Sequence, residues 1–186
     1  MKQVLYRKEF NHIRLGKQFK LLLKLCMGRK SLRYAIDGVK IDEDGFTATN
    51  RRLLFNYADK EHGMESGVYH ITSEGFGLAE IEIADNFPKW QDVVPKETKL
   101  KKVHSLPYLD GQFSSEVIYY LNRNDVNFRV AWTMQVLERL ELLHASDLVV
   151  FAHKDEPHKC PLVINGIIQD KHFTYVQMPI IPRRDA

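Results

Sequence analysis

The sequence predicts an α+β protein built from two similar halves, with both helices on one face of antiparallel sheets. Two stretches have the periodicity of an amphipathic helix, and each is accompanied by short runs that alternate like strands. Between them lies a segment bracketed by Pro88 and Pro95, which predicts an extended connector because proline disfavours helix interiors and central strands. We therefore predict one domain over residues 1–186, divided into a first half (1–85), a connector (86–102), a second half (103–180) and a tail (181–186).

The first helix is predicted over residues 16–27. Its apolar residues recur at intervals of three and four and so share one face: Leu15, Phe19, Leu22, Leu23 and Cys26. Lys17, Lys20 and Lys24 fall on the opposite face, and no acid lies four residues from any of them. Gly28 is a natural helix stop.

Basic residues are concentrated near the start of the chain. The net charge is +3, but residues 1–33 contain ten lysines and arginines against one acid, Glu9, so the remaining residues carry −6. A local positive field of this kind suits a polyanion such as nucleic acid. The alternative is that these lysines form an ordinary solvated helix face.

Strand-like alternation and turn signals fill the rest of the first half. The turn is predicted at residues 43–45 and a polar loop at 61–67. The predicted strands are residues 3–6, 32–41, 46–49, 52–57, 68–72 and 78–83.

The second half repeats this organisation after a basic segment, residues 96–102, that we expect to be mobile. A second helix is predicted over residues 130–143, with a nearly neutral polar face formed by Gln135, Glu138 and Arg139. Its apolar face is predicted to contain Val130, Met134, Leu137 and Leu140. Turn residues occupy 122–125. The predicted strands are residues 103–109, 116–121, 147–152, 162–168 and 173–178.

Composition indicates a cytoplasmic protein that can bury a core. The hydrophobic content of 44% is ordinary for a globular domain, and no apolar run approaches the roughly 20 residues that span a bilayer. Residues 1–8 lack the apolar core of a signal peptide. Cys26 and Cys160 form no disulfide framework, and Cys26 is predicted to be a buried free thiol.

Motifs of enzyme chemistry are not evident in the sequence, so we predict a non-catalytic protein without a cofactor. Gly75-Phe76-Gly77 lacks the third glycine and the following helix of a phosphate-binding loop. A cluster near residue 156 could be a metal site, but its spacing matches no standard zinc pattern, and a polar hairpin loop is the preferred interpretation. The cluster consists of His153, Glu156, His158 and Cys160.

Three motifs resemble those of bacterial sliding clamps, the β subunits of DNA polymerase III. Residues 33–39 and 47–53 resemble a strand pair whose second strand ends, in the family, in Ala-Thr-Asp-Gly-x-Arg-Leu. Residues 87–95, Phe-Pro-Lys-Trp-Gln-Asp-Val-Val-Pro, look like the connector Phe-Pro-acid-Tyr-x-x-Val-(Ile/Leu)-Pro. Residues 173–180, Phe-Thr-Tyr-Val-Gln-Met-Pro-Ile, resemble the C-terminal strand Tyr-Val-Val-Met-Pro-Met-Arg-Leu. The motifs occur in the family's order, so the resemblance implies a DNA-clamp-like fold.

The chain departs from the family in several respects. A bacterial clamp subunit has three domains and two subunits close a ring of six, whereas this chain has room for about one domain. Residues 50–52 are one residue shorter than Asp-Gly-x-Arg, and the chain has Ile180-Ile181-Pro182 in place of Met-Arg-Leu. The second helix lacks the basic outward face expected of a helix that lines a ring.

The resemblance also implies an apolar cleft that captures short peptides of polymerases and the clamp loader. Methionine is adaptable packing for varied peptides, whereas proline and leucine form a rigid apolar floor. The alternative is ordinary core, because Val176 and Met178 alternate on a strand and would be buried anyway. The predicted cleft residues are Thr49, Arg52, Leu53, Pro95, Val176, Met178 and Pro179.

The function that the resemblance implies is that of a processivity factor. The basic face would contact duplex DNA without reading its sequence, through Lys17, Lys20, Lys24, Arg29 and Lys30. Copies would associate edge to edge into a ring, for which a hexamer is the natural closed form. The alternative is a monomeric adaptor or decoy that binds clamp-interacting peptides without encircling DNA. A third option is an accessory domain of an enzyme.

Overall fold

The computed structural model describes residues 6–9, 12–29, 36–73, 75–79, 87–108, 115, 117, 119, 130–157 and 159–179. Its first half contains β1 (Tyr6–Glu9), β2 (His12–Leu15), α1 (Lys17–Cys26), β3 (Val39–Asp42), β4 (Gly45–Thr49), β5 (Leu53–Tyr57), β6 (Gly67–Ile71) and β7 (Phe76–Ala79). Its second half contains β8 (Leu100–Tyr108), α2 (Val130–Leu142), β9 (Ser146–His153), β10 (Leu162–Ile168) and β11 (Lys171–Gln177).

Nine of the described strands form one antiparallel sheet in the order β7-β6-β3-β4-β5-β11-β10-β9-β8. The two halves meet where β5 pairs with β11, with Phe173 opposite Tyr57 and Gln177 opposite Leu53. The strands β1 and β2 form a separate hairpin. The predicted α+β class is confirmed. The two halves do not form separate sheets, because their strands join in one continuous sheet.

Both helices lie on the same side of this sheet, as predicted. α1 buries Phe19, Leu22, Leu23 and Cys26. The Phe19 ring meets the sheet edge-on, with its centroid 5.3 Å from that of Tyr57. The helices also contact each other, because Arg139 Nη1 on α2 donates a hydrogen bond of 2.9 Å to Gln18 Oε1 on α1. The main core is therefore the layer between the helices and the sheet.

The connector crosses the opposite face of the sheet. A second apolar cluster lies there, in which Leu54, Val163 and Val176 of the sheet pack against the segment after Phe87. The contacting side chains of that segment are Trp90, Val93, Val94 and Leu100. The predicted connector is not extended throughout, because residues Trp90–Asp92 form a 3₁₀ turn within it.

One predicted strand is wrong. The sequence predicts an extended segment at residues 116–121, but Ser115, Val117 and Tyr119 have helical backbone. Val117 is buried in the main core whereas Tyr119 is 65% exposed. A β-branched and aromatic composition predicts a strand only where the residues cover a pleated surface, so packing has overridden propensity here.

The face predicted for the second helix is also partly wrong. Met134 is 44% exposed, and the buried residues of α2 include Thr133 and Val136 beside Leu137 and Leu140. The burial of a polar threonine depends on a partner far away in sequence, which helical periodicity alone does not reveal. The outward residues Gln135 and Glu138 are exposed as predicted; Arg139 is partly buried and bonded to α1.

The basic segment at residues 96–102, which we expected to be mobile, has regular secondary structure. Glu97–Lys99 form a 3₁₀ turn and β8 begins at Leu100, so the connector ends before residue 100. β3 is shorter than the predicted strand, and residues 30–35 lie outside the described residues. Residues 3–5, 80–83 and 122–125, where strands and a turn were predicted, also lie outside the described residues. The other predicted strands and the turn before Gly45 are confirmed within two or three residues at their ends.

Buried tyrosines make stability fall at alkaline pH. Burial raises the pKa of Tyr57 and Tyr175 above the ordinary value, and each hydroxyl donates a buried hydrogen bond. Above about pH 10 the unfolded chain loses tyrosine protons that the folded chain keeps, whereas below it both states are protonated. We expect the free energy of unfolding to fall above that pH by at most about 1.4 kcal/mol per pH unit for each tyrosine.

Urea unfolding between about pH 8 and pH 11 measures this slope. The variant Tyr175→Phe is expected to have a shallower slope than the wild type. An equal slope in the two proteins would show that Tyr175 does not contribute to the pH dependence.

Candidate peptide-binding cleft and basic helix face

The candidate cleft lies on the sheet face that the connector crosses. Strand register places Thr49, Leu54 and Val176 side by side on β4, β5 and β11. The same row continues to Val163 on β10. Leu54 and Val176 are 2% and 1% exposed, so they form a solid apolar floor.

The turn between β4 and β5 forms one wall of the cleft. Asn50 Oδ1 accepts hydrogen bonds from the backbone N–H groups of Arg52 (3.0 Å) and Leu53 (2.8 Å). Thr49 Oγ1 donates to the carbonyl of Leu53 at 2.9 Å. Arg51 has a φ of 73°, a left-handed conformation that glycine adopts more readily. Side-chain hydrogen bonds therefore hold this turn in place of a glycine.

The end of β11 forms the second wall. The backbone N–H of Met178 donates to the carbonyl of Arg52 at 2.7 Å, which ties the end of β11 to the turn. The connector supplies the third wall through Pro88 and Val93. A cavity of about 260 Å³ opens between these three segments, lined by Thr49, Arg51, Arg52, Leu53, Leu54, Pro88, Val93, Val176 and Met178.

Five of the seven residues predicted for the cleft line this cavity: Thr49, Arg52, Leu53, Val176 and Met178. The two predicted prolines, Pro95 and Pro179, are not lining residues. Four lining residues were not predicted from the sequence: Arg51, Leu54, Pro88 and Val93. Leu54 pairs with Val176 on the neighbouring strand, and Pro88 and Val93 lie on either side of the 3₁₀ turn at Trp90–Asp92.

The cavity has an apolar floor and a basic rim. Arg51 and Arg52 are both exposed at its mouth. The Arg52 guanidinium lies 5.8 Å from the centre of the Trp132 ring on α2, a cation–π contact that orients this side chain. None of the nine lining residues is an acid, a histidine or a cysteine, so the cavity suits the binding of apolar side chains rather than proton transfer.

A buried polar network anchors α2 beneath the last residues of β11. Thr133 Oγ1 donates a hydrogen bond of 2.6 Å to Gln177 Oε1, which also accepts a bond of 2.8 Å from the Tyr175 hydroxyl. Thr133 and Gln177 are at most 1% exposed. Because Gln177 lies between Val176 and Met178, this network positions the strand that forms the cleft floor.

We expect Thr133→Val to lower the free energy of unfolding by about 1 kcal/mol, because Gln177 Oε1 loses the hydrogen bond from Thr133 in a buried site. Chemical unfolding of both proteins measures the difference. The exposed Thr98→Val serves as a control with the same chemical change and is expected to leave stability unaltered. A Thr133→Val protein as stable as the wild type would contradict the anchoring role.

The outward face of α1 carries the predicted DNA contacts. Lys17, Lys24 and Arg29 are exposed. Lys20 is partly buried, and its Nζ donates a hydrogen bond of 2.7 Å to the carbonyl of Ser73. Lys30 lies outside the described residues. Lys17 and Lys24 are therefore exposed on the outward face of α1, and Arg29 is exposed beyond the end of the helix.

The His153–Cys160 segment has the contacts of a polar loop. His153 Nδ1 accepts hydrogen bonds from the backbone N–H groups of Asp155 and Glu156, and Glu156 forms an ion pair of 2.7 Å with Lys159. His158 lies outside the described residues. Within the part of the chain that the structure describes, no group of three or more potential ligands could hold a metal ion.

Comparison with known protein families found no family model that matches the chain, and comparison with curated proteins found no match either. Among the described residues, neither helix has the length and apolar character needed to cross a bilayer.

Proposed function

We propose that this chain is a clamp-like, non-catalytic processivity factor that captures apolar peptide segments of replication proteins in the cleft and touches duplex DNA through α1. The observation that carries the proposal is the cavity itself. Three segments that are remote in sequence, namely the turn after β4, the connector and the end of β11, meet at one apolar hollow. The sequence motifs that resemble sliding clamps are located in the same three segments.

The size and lining of the cavity agree with a peptide ligand. About 260 Å³ accommodates one or two apolar side chains but not a folded domain. Each fully buried aliphatic or aromatic side chain contributes about 1.5–3 kcal/mol, so two anchors supply roughly 3–6 kcal/mol, which corresponds to weak binding with a dissociation constant on the order of 0.1 to 1 mM. Met178 and Val93 are half-buried at the opening, and the unbranched Met178 side chain can adjust to different anchors.

The α1 face supplies the second part of the proposal. Lys17 and Lys24 lie seven residues apart, about two helical turns, so they point in the same direction. Lysines that contact phosphates give binding that depends on salt but not on base sequence. Binding of this kind lets a protein move along a duplex while a partner is held in the cleft.

Selection from a random peptide library tests the proposal. Peptides that bind the immobilised protein are expected to share one or two large apolar residues. A fluorescent version of the selected peptide is then titrated with the protein, and its anisotropy gives the affinity. The proposal would be contradicted if the selected peptides had no apolar anchor. It would also be contradicted if they bound variants of the cleft as tightly as the wild type.

An adaptor or decoy that captures peptides without encircling DNA is the second candidate, and two observations favour it. The outward face of α2 carries Glu138 and Glu141, both exposed, where a helix facing DNA would carry cations. The sheet edge at β8 carries the exposed Lys101 and Lys102, and lysines on an edge strand disfavour pairing with another strand.

Light scattering over a range of protein concentration and salt distinguishes the two candidates. A closed assembly near six chains supports a ring of clamp-like domains. A species of at most two chains at all concentrations removes encirclement by this protein alone and leaves the adaptor.

A further inference from the structure

The outward face of α2 combines exposed apolar and acidic residues. Met134 and Leu142 are 44% and 43% exposed, the two highest values among the exposed large hydrophobic residues of this helix. They lie four residues before and four after Glu138, so the three side chains form one line along the helix, and Glu141 lies beside it. This face points away from the core, since the buried residues of α2 are on its other side.

The outward face of α1 has the opposite charge. Lys17 and Lys24 are exposed there, Lys20 lies between them, and no acid occurs within α1. The aliphatic parts of lysine side chains can cover apolar surface while their ammonium groups stay solvated or paired. A lysine ridge can therefore accommodate both a carboxylate and the apolar side chains that flank it.

The two helices lie side by side in one layer. They are in contact, and Arg139 of α2 is bonded to Gln18 of α1. The helical side of the molecule therefore presents a basic strip next to an acidic and apolar strip. A two-fold axis that runs between these strips, parallel to them, exchanges their positions.

We propose that a second copy of this chain docks on the helical layer, with α1 of each copy lying on α2 of the other. The contact is isologous and buries each apolar line under a lysine ridge. It places the exposed Lys17 and Lys24 of one copy opposite Glu138 and Glu141 of its partner, twice per dimer. The inference rests on the helical layer alone and does not depend on peptide capture in the cleft.

The dimensions predict a weak and reversible dimer. Helices of 10 and 13 residues are about 15 and 20 Å long, so the layer presents on the order of 400 Å² per copy. Stable complexes bury about 800 Å² per partner. Association should therefore appear only at high protein concentration and should weaken with salt, because exposed ion pairs are screened. A second copy and a DNA duplex would compete for the same face of α1.

Sedimentation of two charge-reversed proteins tests this arrangement. One carries Lys17→Glu, Lys20→Glu and Lys24→Glu, and the other carries Glu138→Lys and Glu141→Lys. Each alone is expected to remain monomeric at concentrations where the wild type dimerises, because its two strips now repel each other. An equimolar mixture is expected to dimerise again, since both contacts of the mixed dimer pair opposite charges. Lys99→Glu with Lys101→Glu and Lys102→Glu is the matched control, because these exposed lysines lie at the sheet edge.

The outcomes are decisive in both directions. The proposal is supported if the wild type forms a dimer that is lost at high salt, if the sheet-edge control still dimerises, and if the mixture of the two charge-reversed proteins dimerises again. A wild type that is monomeric at about 50 mM salt overturns it, as does a mixture that stays monomeric or an assembly that survives reversal of the helix charges. Loss of association only in the sheet-edge control would assign the interface to β8 instead. DNA binding by the Glu138→Lys, Glu141→Lys protein separates this result from the proposed function, because that variant keeps the α1 lysines.

Discussion

Replacing Met178 with glutamate is expected to lower the affinity of the cleft for a selected apolar peptide at least about 100-fold, which corresponds to roughly 2.7 kcal/mol. The substitution removes the adaptable thioether from the cavity wall and places a carboxylate against Leu54 and Val176, which are almost fully buried. A bound apolar side chain would desolvate this carboxylate. Met178 is itself only half-buried and lies after the end of β11, so the fold should tolerate the change.

The anisotropy titration measures this effect. Leu53 is less suitable for the same test, because it is 3% exposed and belongs to the main core, so a charge there would reduce stability as well as binding. Tyr119→Glu is the matched control, since Tyr119 is 65% exposed and does not line the cavity. Equal peptide affinity in the wild type and in a folded Met178→Glu protein would show that the peptide binds elsewhere.

Reversing Lys17, Lys20 and Lys24 to glutamate is expected to abolish binding to duplex DNA of any sequence. The change converts the basic ridge of α1 to an acidic one beside Glu138 and Glu141 of α2, so the helical layer would repel phosphates throughout. The milder change of the same lysines to glutamine should lower the slope of log affinity against log salt by about 0.9 for each phosphate that the protein no longer neutralises. Electrophoretic or anisotropy titrations at several salt concentrations measure both effects.

The sheet-edge triple Lys99→Glu, Lys101→Glu and Lys102→Glu provides the control. It changes the net charge by the same amount, but its lysines lie at the start of β8 and before it, at the far end of the sheet order from β7. Duplex binding should therefore survive in this protein. If the edge triple loses DNA affinity and the α1 triple keeps it, the DNA-binding surface has been assigned wrongly.

Much of the fold could be predicted because its strongest signals are local. Phe19, Leu22, Leu23 and Cys26 repeat at helical spacing and are all fully buried in α1. The turn before Gly45 and the strands β9 to β11 follow from turn residues and alternation in the same way. The cleft floor could be predicted only from the motifs that resemble sliding clamps. No local pattern reveals the pairing of β5 with β11, because it joins residues more than 100 positions apart.

The errors come from contacts that no local pattern contains. Thr133 is buried because Gln177 accepts its hydrogen bond, and this rotates the buried face of α2 away from Met134. Ser115, Val117 and Tyr119 have helical backbone although the composition of the segment favours a strand, because propensity for strands depends on the surface they cover. In the cleft, the connector contributes Pro88 and Val93, which lie on either side of its 3₁₀ turn, rather than Pro95.

The central claim is that apolar peptides bind in the cavity between the β4–β5 turn, the connector and the end of β11. Methyl NMR spectra recorded during titration with the library-selected peptide test it most directly. We expect progressive shifts of the methyl signals of Leu54, Val93, Val176 and Met178, with little change for Ile41 or Leu140 in the main core. Saturable binding that leaves these four residues unshifted would contradict the account and require another binding surface.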